Sequence, residues 1–303
     1  MIDEHEWRSV LQVAQDGTFS LAAQHLFISQ PSLSQCIKKI ESELGAPLFD
    51  RSQTPVALTE AGQLYVRQAR EMQRLHRELV ARTADLAGLR TGSLSIGSSR
   101  TRSSCYLMKP LLEFHKKFPG IKLTVVDRSV SALREAVLQG QLDFVLLYGP
   151  LPEKQLQSVP LLKERVLLAV PEGSPLAQLF GGRQPVPYPQ ISFARLEGMP
   201  FIKLQAGRVM AGIYENLCRQ VGTRPDVVLE ATSIIGAAHI CSEGLGATLV
   251  TDMLVRSWEW SKRPIFFELE EPVPPRELVA AYGAHQHLSL AARQFIELLR
   301  AGS

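Results

Sequence analysis

Hydrogen-bonding and apolar side chains alternate in a short stretch near the start of the chain. The polar set is Gln30, Ser32, Ser34, Gln35 and Lys38, and the apolar set is Leu33, Cys36, Ile37, Ile40 and Leu44. The apolar residues repeat with the period of an α-helix. The uncharged polar residues can exchange hydrogen bonds with base edges in a DNA major groove, and a lysine one turn later suits phosphate. The stretch therefore predicts a helix that packs on one side and binds DNA with the other.

The residues around this helix define its ends and a second helix before it. Ser29 is a good N-cap, Pro31 suits the first turn, and Gly45 suits the position after the last turn. A shorter helix precedes it, with Ser20 as its expected N-cap and an alanine pair at 22–23 that allows close approach. Two short helices joined by a tight turn make a helix-turn-helix, whose second helix enters the groove.

The flanking segments complete a small DNA-binding domain. Residues 2–15 are predicted to form a first helix, and residues 46–58 a proline-containing loop with short strands, which suits a wing along the DNA backbone. Arg51 is the candidate phosphate contact of this wing. Residues 1–62 hold four basic and eight acidic side chains, a net charge of −4. Affinity for phosphate must therefore come from the placement of a few basic groups.

A long helix is predicted next. Residues 59–89 contain no proline, and their glycines lie near the ends. One heptad line holds Tyr65, Met72, Leu79 and Leu86, and the neighbouring line holds Gln68, Leu75, Arg82 and Leu89. A narrow apolar stripe flanked by charges favours pairing with a copy of the same helix. The alternative is packing on the chain's own body. A dimer would present two recognition helices to the half-sites of an inverted repeat.

Beyond residues 90–93 the pattern changes to alternating strands and helices. Strands are predicted at 94–97, 122–126, 144–147, 165–170, 201–204, 227–229, 247–250 and 278–282, and helices at 101–118, 131–139, 209–220, 234–243 and 288–299. This order indicates parallel βαβ units. These units form two lobes. The last strand and helix return to the first lobe, so the second lobe interrupts the first along the chain. A surface loop rich in glycine and proline is predicted at 181–190.

Polar residues follow several of these strands. In doubly wound sheets, ligands lie beyond the carboxyl ends of strands and against helix N-termini. The candidate ligand contacts are Ser98, Ser99, Arg100, Thr101, Arg102, Ser129, Tyr148, Gly149, Lys203, Leu204, Gln205, Thr232 and Thr248. Several hydroxyls and three cations suit a small organic anion. Serine and threonine are also ordinary helix caps, and for each single residue that alternative stays open.

The N-terminal stretch resembles the winged helix-turn-helix of LysR-type transcriptional regulators. The matching positions are Gly17-Thr18-Phe19-Ser20, Ala22-Ala23, Leu26, Ser29-Gln30-Pro31-Ser32-Leu33-Ser34, Ile37, Ile40-Glu41, Leu44-Gly45, Leu48-Phe49, Arg51 and Leu58-Thr59-Glu60-Ala61-Gly62. The chain departs from the family pattern at Gln35, where many members carry arginine, and at Gln53 and Thr54 in the wing, where a cation is expected. These departures leave the operator sequence open.

The resemblance implies an α/β protein with three parts. They are an N-terminal all-α winged helix-turn-helix, a long linker helix, and a two-lobed, doubly wound effector domain like that of periplasmic binding proteins. The expected domains are 1–60 for DNA binding, 61–90 for the linker and dimerisation helix, 91–162 with 266–303 for effector lobe 1, and 163–265 for effector lobe 2.

The resemblance also implies a function. We expect a sequence-specific regulator that binds double-stranded DNA at an inverted-repeat operator and pairs with itself as a homodimer that assembles into a homotetramer. RNA polymerase is a further candidate partner. We expect a small-molecule effector, and neither a cofactor nor a metal.

Composition sets wider bounds. The 303 residues carry a net charge of +3 and are 45% hydrophobic and 21% charged, which is the balance of a globular protein and says little about DNA. No signal peptide or membrane span is predicted, so we expect a cytoplasmic protein without membrane contact. The four cysteines Cys36, Cys105, Cys218 and Cys241 form no C-x-x-C pair. Free thiols are therefore expected rather than a redox pair.

Catalytic motifs are absent from the sequence. It contains no G-x-S-x-G elbow, no H-E-x-x-H and no glycine-rich phosphate loop. His285 and His287 alternate as on a strand, which is more typical of a surface than of a metal site. We therefore expect no enzyme. The alternatives are a two-lobed solute-binding or enzymatic protein with a structural helical extension, and a helical domain packed for stability alone. The polar face around Gln30 argues against both.

Overall fold

The computed structural model describes residues 3–86, 88–89, 91–179 and 188–301. The N-terminal part consists of α1 (Glu4–Asp16), α2 (Phe19–His25), α3 (Gln30–Leu44), β1 (Phe49–Asp50), β2 (Ala57–Leu58) and α4 (Glu60–Leu86). The two short strands pair antiparallel and form the wing. Most of the predicted loop at 181–190 lies outside the described residues.

Local capping explains where the first three helices begin. Asp3 caps α1 in a reciprocal capping box with Glu6. Ser29 caps α3, and Gly45 ends it in a left-handed conformation, as the sequence predicts. The prediction that Ser20 caps α2 is wrong. Thr18 has the extended backbone of an N-cap, and its side chain accepts a hydrogen bond from the Leu21 N–H (3.3 Å), so Ser20 lies inside the helix.

The N-terminal core joins the helix-turn-helix to the start of α4. It contains Trp7, Val10, Val13, Ala22, Ala23, Leu33, Ile37, Ile40, Leu48, Phe49, Tyr65, Val66 and Ala69. Tyr65, predicted on the dimer stripe, is therefore a core residue of this domain. Gly62 allows the close contact between α4 and β1, because a Cβ there would lie 2.0 Å from the carbonyl oxygen of Leu48.

Lobe 1 is built on a five-stranded sheet. Its elements are β3 (Gly92–Ser98), α5 (Arg100–Arg102), a π-helical turn (Ser103–Leu107), α6 (Met108–Lys117), β4 (Ile121–Asp127), α7 (Val130–Leu138), β5 (Phe144–Tyr148) and β6 (Leu156–Glu164). The strand order is β4-β3-β5, then a late strand at Arg276–Gly283, then β6. The strands β4, β3 and β5 are parallel, whereas the late strand is antiparallel to both neighbours.

Lobe 2 combines two smaller sheets. Its elements are β7 (Val166–Val170), α8 (Pro175–Gln178), β8 (Gln190–Ile191), a 3-10 turn (Phe193–Leu196), β9 (Pro200–Leu204), α9 (Val209–Val221), β10 (Asp226–Ala231), α10 (Ile234–Ser242), β11 (Thr248–Thr251), α11 (Asp252–Ser257) and β12 (Ile265–Leu269). β13 (Arg276–Gly283) and α12 (Leu290–Ala301) then return to lobe 1. β9 and β10 are parallel, but β7 runs antiparallel to β11 and β12, so the prediction of purely parallel units fails here.

Two further boundaries differ from the predictions. The expected lobe boundary at residues 265/266 would place β12 in lobe 1, whereas β12 pairs with β7 in lobe 2, and the chain returns to lobe 1 only after Leu269. The predicted helix at 101–118 is interrupted by the π-helical turn at Ser103–Leu107. Turns of this kind often occur at functional sites.

The linker helix α4 is packed against lobe 1 over its second half. The Arg77 guanidinium donates to the carbonyl of Gly140 (2.7 Å). The Asp85 carboxylate accepts a hydrogen bond from the Leu290 N–H at the start of α12 (2.8 Å), and its other oxygen lies 2.9 Å from His287 Nε2. Leu89, predicted on the dimer stripe, lies past the end of α4 and is buried in the lobe 1 core. Lobe 1 therefore holds one face of α4.

An ion pair between a buried glutamate and an exposed lysine in the N-terminal domain predicts a pH-dependent stability. Glu6 is buried and accepts a hydrogen bond from Lys39 Nζ (2.8 Å), and this bond holds its pKa below the ordinary value of 4.5. A depressed pKa stabilises the fold above the ordinary value, and the stabilisation is lost as pH falls through the lowered pKa. Lys39→Met should therefore speed amide hydrogen exchange in α1 at pH 7, and the difference from wild type should vanish in strong acid.

Lys38→Met is the matched control. Lys38 is the neighbouring exposed lysine, and no described residue forms an ion pair with it. Its replacement should leave exchange in α1 unchanged at each pH. A difference between Lys39→Met and wild type that is the same at pH 7 and at pH 3 would contradict the role assigned to Glu6.

Candidate DNA-binding surface and effector cleft

The outer face of α3 presents free polar side chains. Gln30, Gln35 and Lys38 are exposed, and within the described chain none of them has a hydrogen-bond or ion-pair partner. Ser34 is half-buried, and Pro31 lies in the first turn. The Ser32 N–H donates to the Ser29 hydroxyl (3.2 Å), and the two hydroxyls are 2.7 Å apart, so Ser32 also belongs to the helix cap. This face can therefore donate and accept hydrogen bonds in a groove.

The Arg51 guanidinium forms an ion pair with α3. It lies 2.9 Å from a carboxylate oxygen of Glu41 on α3 and over the ring of Phe19. The same Glu41 carboxylate accepts hydrogen bonds from the backbone N–H groups of Leu48 and Phe49. Arg51 therefore ties the wing to α3, and its contact with phosphate stays a prediction.

The wing is shaped by its own hydrogen bonds. The Asp50 carboxylate accepts from the N–H and hydroxyl of Ser52 and from the amide of Gln53, and the Ser52 bonds lower the pKa of Asp50. The Val56 N–H donates to the carbonyl of Gly17 (2.8 Å), which fixes the wing beside the start of α2. Gln53, which stands where a cation is expected from the family pattern, thus donates a hydrogen bond to Asp50.

One exposed aromatic residue escaped the sequence analysis. Phe27 lies in the turn between α2 and α3, is 95% exposed and has φ +57°. A bulky residue with positive φ is strained, and an exposed aromatic ring gains nothing from packing. The sequence offered one signal for this exposure: Phe27 is apolar but lies outside the helical repeat of apolar residues. Its location beside the N-terminus of α3 makes Phe27 a candidate contact to DNA.

In lobe 1 the structure brings the predicted effector residues to one edge of the sheet. Arg100 lies 3.4 Å from Asp127, which links the ends of β3 and β4. Ser129 caps α7 through the Ala132 N–H (3.3 Å). Ser98 is buried and its hydroxyl donates to the carbonyl of Ser99, whose own side chain makes no capping bond. The side-chain hydroxyls of Ser99 and of the neighbouring half-buried Thr101 have no hydrogen-bond partner among the described residues.

Arg102 and Tyr148 serve a buried charged cluster rather than an open site. The Arg102 guanidinium donates to the carbonyl of Leu146 and stacks on the Tyr148 ring. The Tyr148 hydroxyl donates to Glu164 (2.6 Å) and accepts from Arg276, and burial raises the pKa of Tyr148. Arg276 also pairs with Glu164. Both side chains, predicted as direct ligand contacts, thus have internal partners, and we do not include them among the proposed contacts.

The residue after Tyr148 contributes through its backbone. The Gly149 N–H donates to the carbonyl of Glu277 on β13 (2.9 Å). This bond continues the pairing of β5 with β13 beyond the end of β5. The backbone N–H of Gly149, predicted as a ligand contact, is therefore used within the sheet.

In lobe 2 most of the predicted ligand residues have structural tasks. Lys203 pairs with Glu215 (2.8 Å) on α9 and lies over the Tyr214 ring. Leu204 is a core residue, and the buried Thr248 hydroxyl donates to the carbonyl of Ile202 (2.8 Å). The side chains of Lys203, Leu204 and Thr248 are therefore used within the lobe, and we do not include them among the proposed contacts. The exposed Gln205 and Thr232 follow β9 and β10, and their side chains have no hydrogen-bond partner within the described chain.

The connection between the lobes is held by a buried aspartate. Asp252, at the start of α11, accepts hydrogen bonds from the Arg165 N–H (2.9 Å) and from Arg256 (2.7 Å). Met253 follows it and is buried in the core of lobe 1, although α11 belongs to lobe 2. The half-buried Cys105 in the π-helical turn packs against the cores of both lobes. The two lobes therefore share an apolar contact beside their crossing strands.

The cysteines do not have the environment of reactive thiols. All four are free, and burial raises the pKa of each, to about 11 for Cys105 and about 12 for Cys241. A raised pKa disfavours the thiolate, which is the reactive form. In the part of the chain that the structure describes, no three metal-binding side chains come together, and no helix is both long and apolar enough to cross a membrane.

Two family models match this architecture. Residues 5–63 match the bacterial regulatory helix-turn-helix of the LysR family, and residues 87–303 match the LysR substrate-binding domain. The chain belongs to the LysR family of transcriptional regulators. The family assignment confirms the predicted fold class and the prediction of a DNA-binding regulator with an effector-binding domain.

Curated relatives agree with this assignment over most of the regulator. It is 32% identical to YcgK of Bacillus subtilis, an uncharacterized HTH-type transcriptional regulator, over 95% of this chain and 91% of that protein. It is 31% identical to a protein of Cyanidioschyzon merolae named "Probable RuBisCO transcriptional regulator", over 78% of this chain and 77% of that protein.

Solved structures share the fold of the regulator. A full-length OxyR variant of Pseudomonas aeruginosa has a TM-score of 0.69 at 22% identity, and the match covers 99% of this chain and 98% of that chain. Full-length CbnR in complex with its target DNA has a TM-score of 0.63 at 19% identity, and the match covers 99% of this chain and 100% of that chain. At these identities the likeness concerns the fold alone.

Proposed function

We propose that this regulator reads an inverted-repeat operator with α3 and responds to a small organic anion held between its lobes. The observation that carries the DNA part is the outer face of α3, where Gln30, Gln35 and Lys38 are exposed without partners among the described residues. Uncharged amides suit base edges, and lysine suits phosphate. Residues that merely covered a packed helix would have no reason to include this combination.

The remaining residues of the surface support α3 rather than read bases. Ser32 completes the Ser29 cap, Arg51 holds the wing to Glu41, and Ser20 lies in α2, the helix that crosses the backbone in this motif. Pro31 and Ser34 lie next to the amide side chains in the first turns of α3. The proposed base contacts are therefore Gln30 and Gln35, with Ser34 beside them, and the proposed phosphate contact is Lys38.

Substitutions on α3 should separate base reading from phosphate binding. Gln30→Ala should weaken binding to the selected operator by about 1–3 kcal/mol and leave binding to random duplex unchanged, because only base contacts carry sequence information. Lys38→Ala should weaken both and reduce the slope of log affinity against log salt by about one. Selection from random duplexes, then fluorescence anisotropy across a salt series, measures both.

Gln220→Ala is the matched control for these variants. It removes an exposed glutamine from α9 of lobe 2 and should change neither affinity nor the salt slope. An equal loss of operator and random binding in Gln30→Ala would contradict base reading. Failure of the selection to enrich an inverted repeat would contradict the proposed operator.

The exposed face of α4 supports a dimer. Its exposed leucines and methionine are Leu64, Met72, Leu75, Leu79 and Leu86, with exposed fractions between 38% and 90%. They lie within one narrow sector of the helix, since each follows the previous one by about one turn or two turns. Lobe 1 occupies a different face of α4, which carries Arg77 and Asp85. A second copy of α4 is the proposed partner of this stripe.

Leu79→Glu tests the stripe. The substitution places a charge in the middle of the stripe. Because the Leu79 side chain is 65% exposed in one chain, the fold of the protomer should persist while the dimer dissociates. Sedimentation velocity of the full chain should show a shift from dimer or tetramer to monomer. Leu179→Glu, at an equally exposed leucine of lobe 2, should leave the assembly unchanged. An unchanged assembly in Leu79→Glu would contradict the interface.

The proposed effector contacts are accessible polar groups at the strand ends, of which Arg100 also pairs with Asp127 and Ser129 also caps α7. Ser99, Arg100, Thr101 and Ser129 lie at the carboxyl edge of the lobe 1 sheet, and Gln205 and Thr232 follow the parallel strands of lobe 2. Hydroxyls, one guanidinium and helix N-termini suit a carboxylate. Closing the lobes around it would change the pairing of protomers and thus the spacing of bound DNA. RNA polymerase contact, a tetramer and a cytoplasmic location complete the proposal.

A calorimetric screen tests the effector site. Titration of the full chain with a panel of mono- and dicarboxylic acids should yield at least one that binds saturably, and Ser99→Ala combined with Thr232→Ala should weaken that binding about tenfold or more, as expected for two lost hydrogen bonds. Ser158→Ala, on an exposed position of β6, should not. If the double variant binds as tightly as wild type, the cleft has been placed wrongly.

A further inference from the structure

A cavity lies where three parts of the regulator meet. It has a volume of about 500 Å³ and is walled by α1 and α2 of the DNA-binding domain, by the middle of α4, and by α7 of lobe 1. None of the predicted effector residues lines it, so it is separate from the proposed effector site. We call it the junction cavity. Its size falls within the range of small-molecule sites.

The junction cavity collects positive charge. Arg8, Arg70, Arg77 and Arg128 line it, one from α1, two from α4 and one from the segment before α7. Glu135 is the single carboxylate among the described lining residues, so four cations and one anion leave a net charge of +3 with histidine neutral. Positive groups around a concave surface focus their potential into it, so an anion is concentrated there.

Most of these guanidinium groups lack carboxylate partners. Within the described chain, Arg70 and Arg128 have no hydrogen bond or ion pair, and Arg77 has only the carbonyl of Gly140. Arg8 has an exposed pair with Glu4 (3.3 Å). By contrast Arg74, between Arg70 and Arg77 in sequence, pairs with two carboxylates of α4. The α4 carboxylates Glu71 and Glu78 thus pair with Arg74, and no carboxylate of α4 lines the junction cavity.

The electrostatic consequence is visible at Arg77. Its pKa is lowered, first by burial and then by the nearby Arg8 cation, against an opposing effect of Asp143. The Arg8 and Arg77 cations repel each other, and a bound anion would relieve this repulsion. Guanidinium groups bind phosphate through paired N–H donors, and several that converge suit a ligand with several phosphates.

We propose that the junction cavity binds a small polyanion with two or more phosphate groups. A small molecule is favoured over DNA because the arginines converge on a concave space and because Gln30, Gln35 and Lys38 of the DNA-binding face do not line it. The ligand would contact the DNA-binding domain and lobe 1 together. It would thereby favour the arrangement in which these two parts are packed on each other, which makes the cavity a second regulatory site.

Inorganic phosphates of increasing length are the probes. Calorimetry of the full chain at constant ionic strength should show one site per chain, with affinity rising from orthophosphate to pyrophosphate to triphosphate. Arg70→Gln and Arg128→Gln should each weaken triphosphate binding about tenfold, through loss of a charge-assisted hydrogen bond. Arg67→Gln is the matched control: this exposed arginine is also on α4 but does not line the cavity, and its replacement should have no effect.

Further measurements separate a small-molecule site from a DNA surface. Triphosphate should slow amide hydrogen exchange in both α1 and α7 of the wild-type chain, and both arginine variants should keep wild-type affinity for random duplex. Absence of saturable triphosphate binding, or equal weakening by Arg67→Gln, would overturn the proposal. Loss of duplex affinity in Arg70→Gln and Arg128→Gln, with competition between duplex and triphosphate, would overturn it as well and assign these arginines to the DNA surface.

Discussion

The structure depends on a single helix, α4, whose two ends are held by different domains. The first turns of α4 complete the DNA-binding core through Tyr65 and Ala69, and Gly62 lets them approach the wing. Its last turn is held to lobe 1 through Asp85, whose carboxylate stabilises the N-terminus of α12. The remaining face is apolar and exposed in one chain. Both domains are thus fixed to α4, and a displacement of lobe 1 carries the last turns of this helix with it.

The sequence predicts the DNA-binding domain well because its signals are local. Caps, helical periodicity and the residues after each helix lie within a few positions of the structure they specify, as Ser29 and Gly45 show. The error at Ser20 has the same origin, since Thr18 and Ser20 are both good caps, and only the structure shows that Thr18 has the extended backbone and accepts from the Leu21 N–H. In contrast β6 was missed because it pairs along its length only with β13, more than a hundred residues later.

The effector domain shows what sequence reasoning lacks at a site. Arg102 and Tyr148 have the residue types of ligand contacts and follow the right strands. Arg102 bonds to the carbonyl of Leu146, and Tyr148 bonds to Glu164 and Arg276. These two partners of Tyr148 come from the strands that flank the crossings between the lobes and are distant in sequence. Burial makes such partners necessary, because an isolated charge in a low-dielectric interior is costly. The sequence could therefore predict that polar groups lie at the strand ends. It could not predict which of them contact a ligand and which bond to other parts of the chain.

The contacts at the lobe crossing limit how the effector domain can move. Opening the lobes widely would take Met253 of α11 out of the lobe 1 core and strain the buried Asp252, which bonds to the Arg165 backbone beside the crossing. Leaving a buried hydrogen-bonding group without its partner costs about 1–3 kcal/mol. A ligand in the cleft can supply this only by an equal difference in affinity for the two states. Small rotations that keep α11 on the π-helical turn are therefore favoured, and they reach the DNA-binding domain through α4 and the junction cavity.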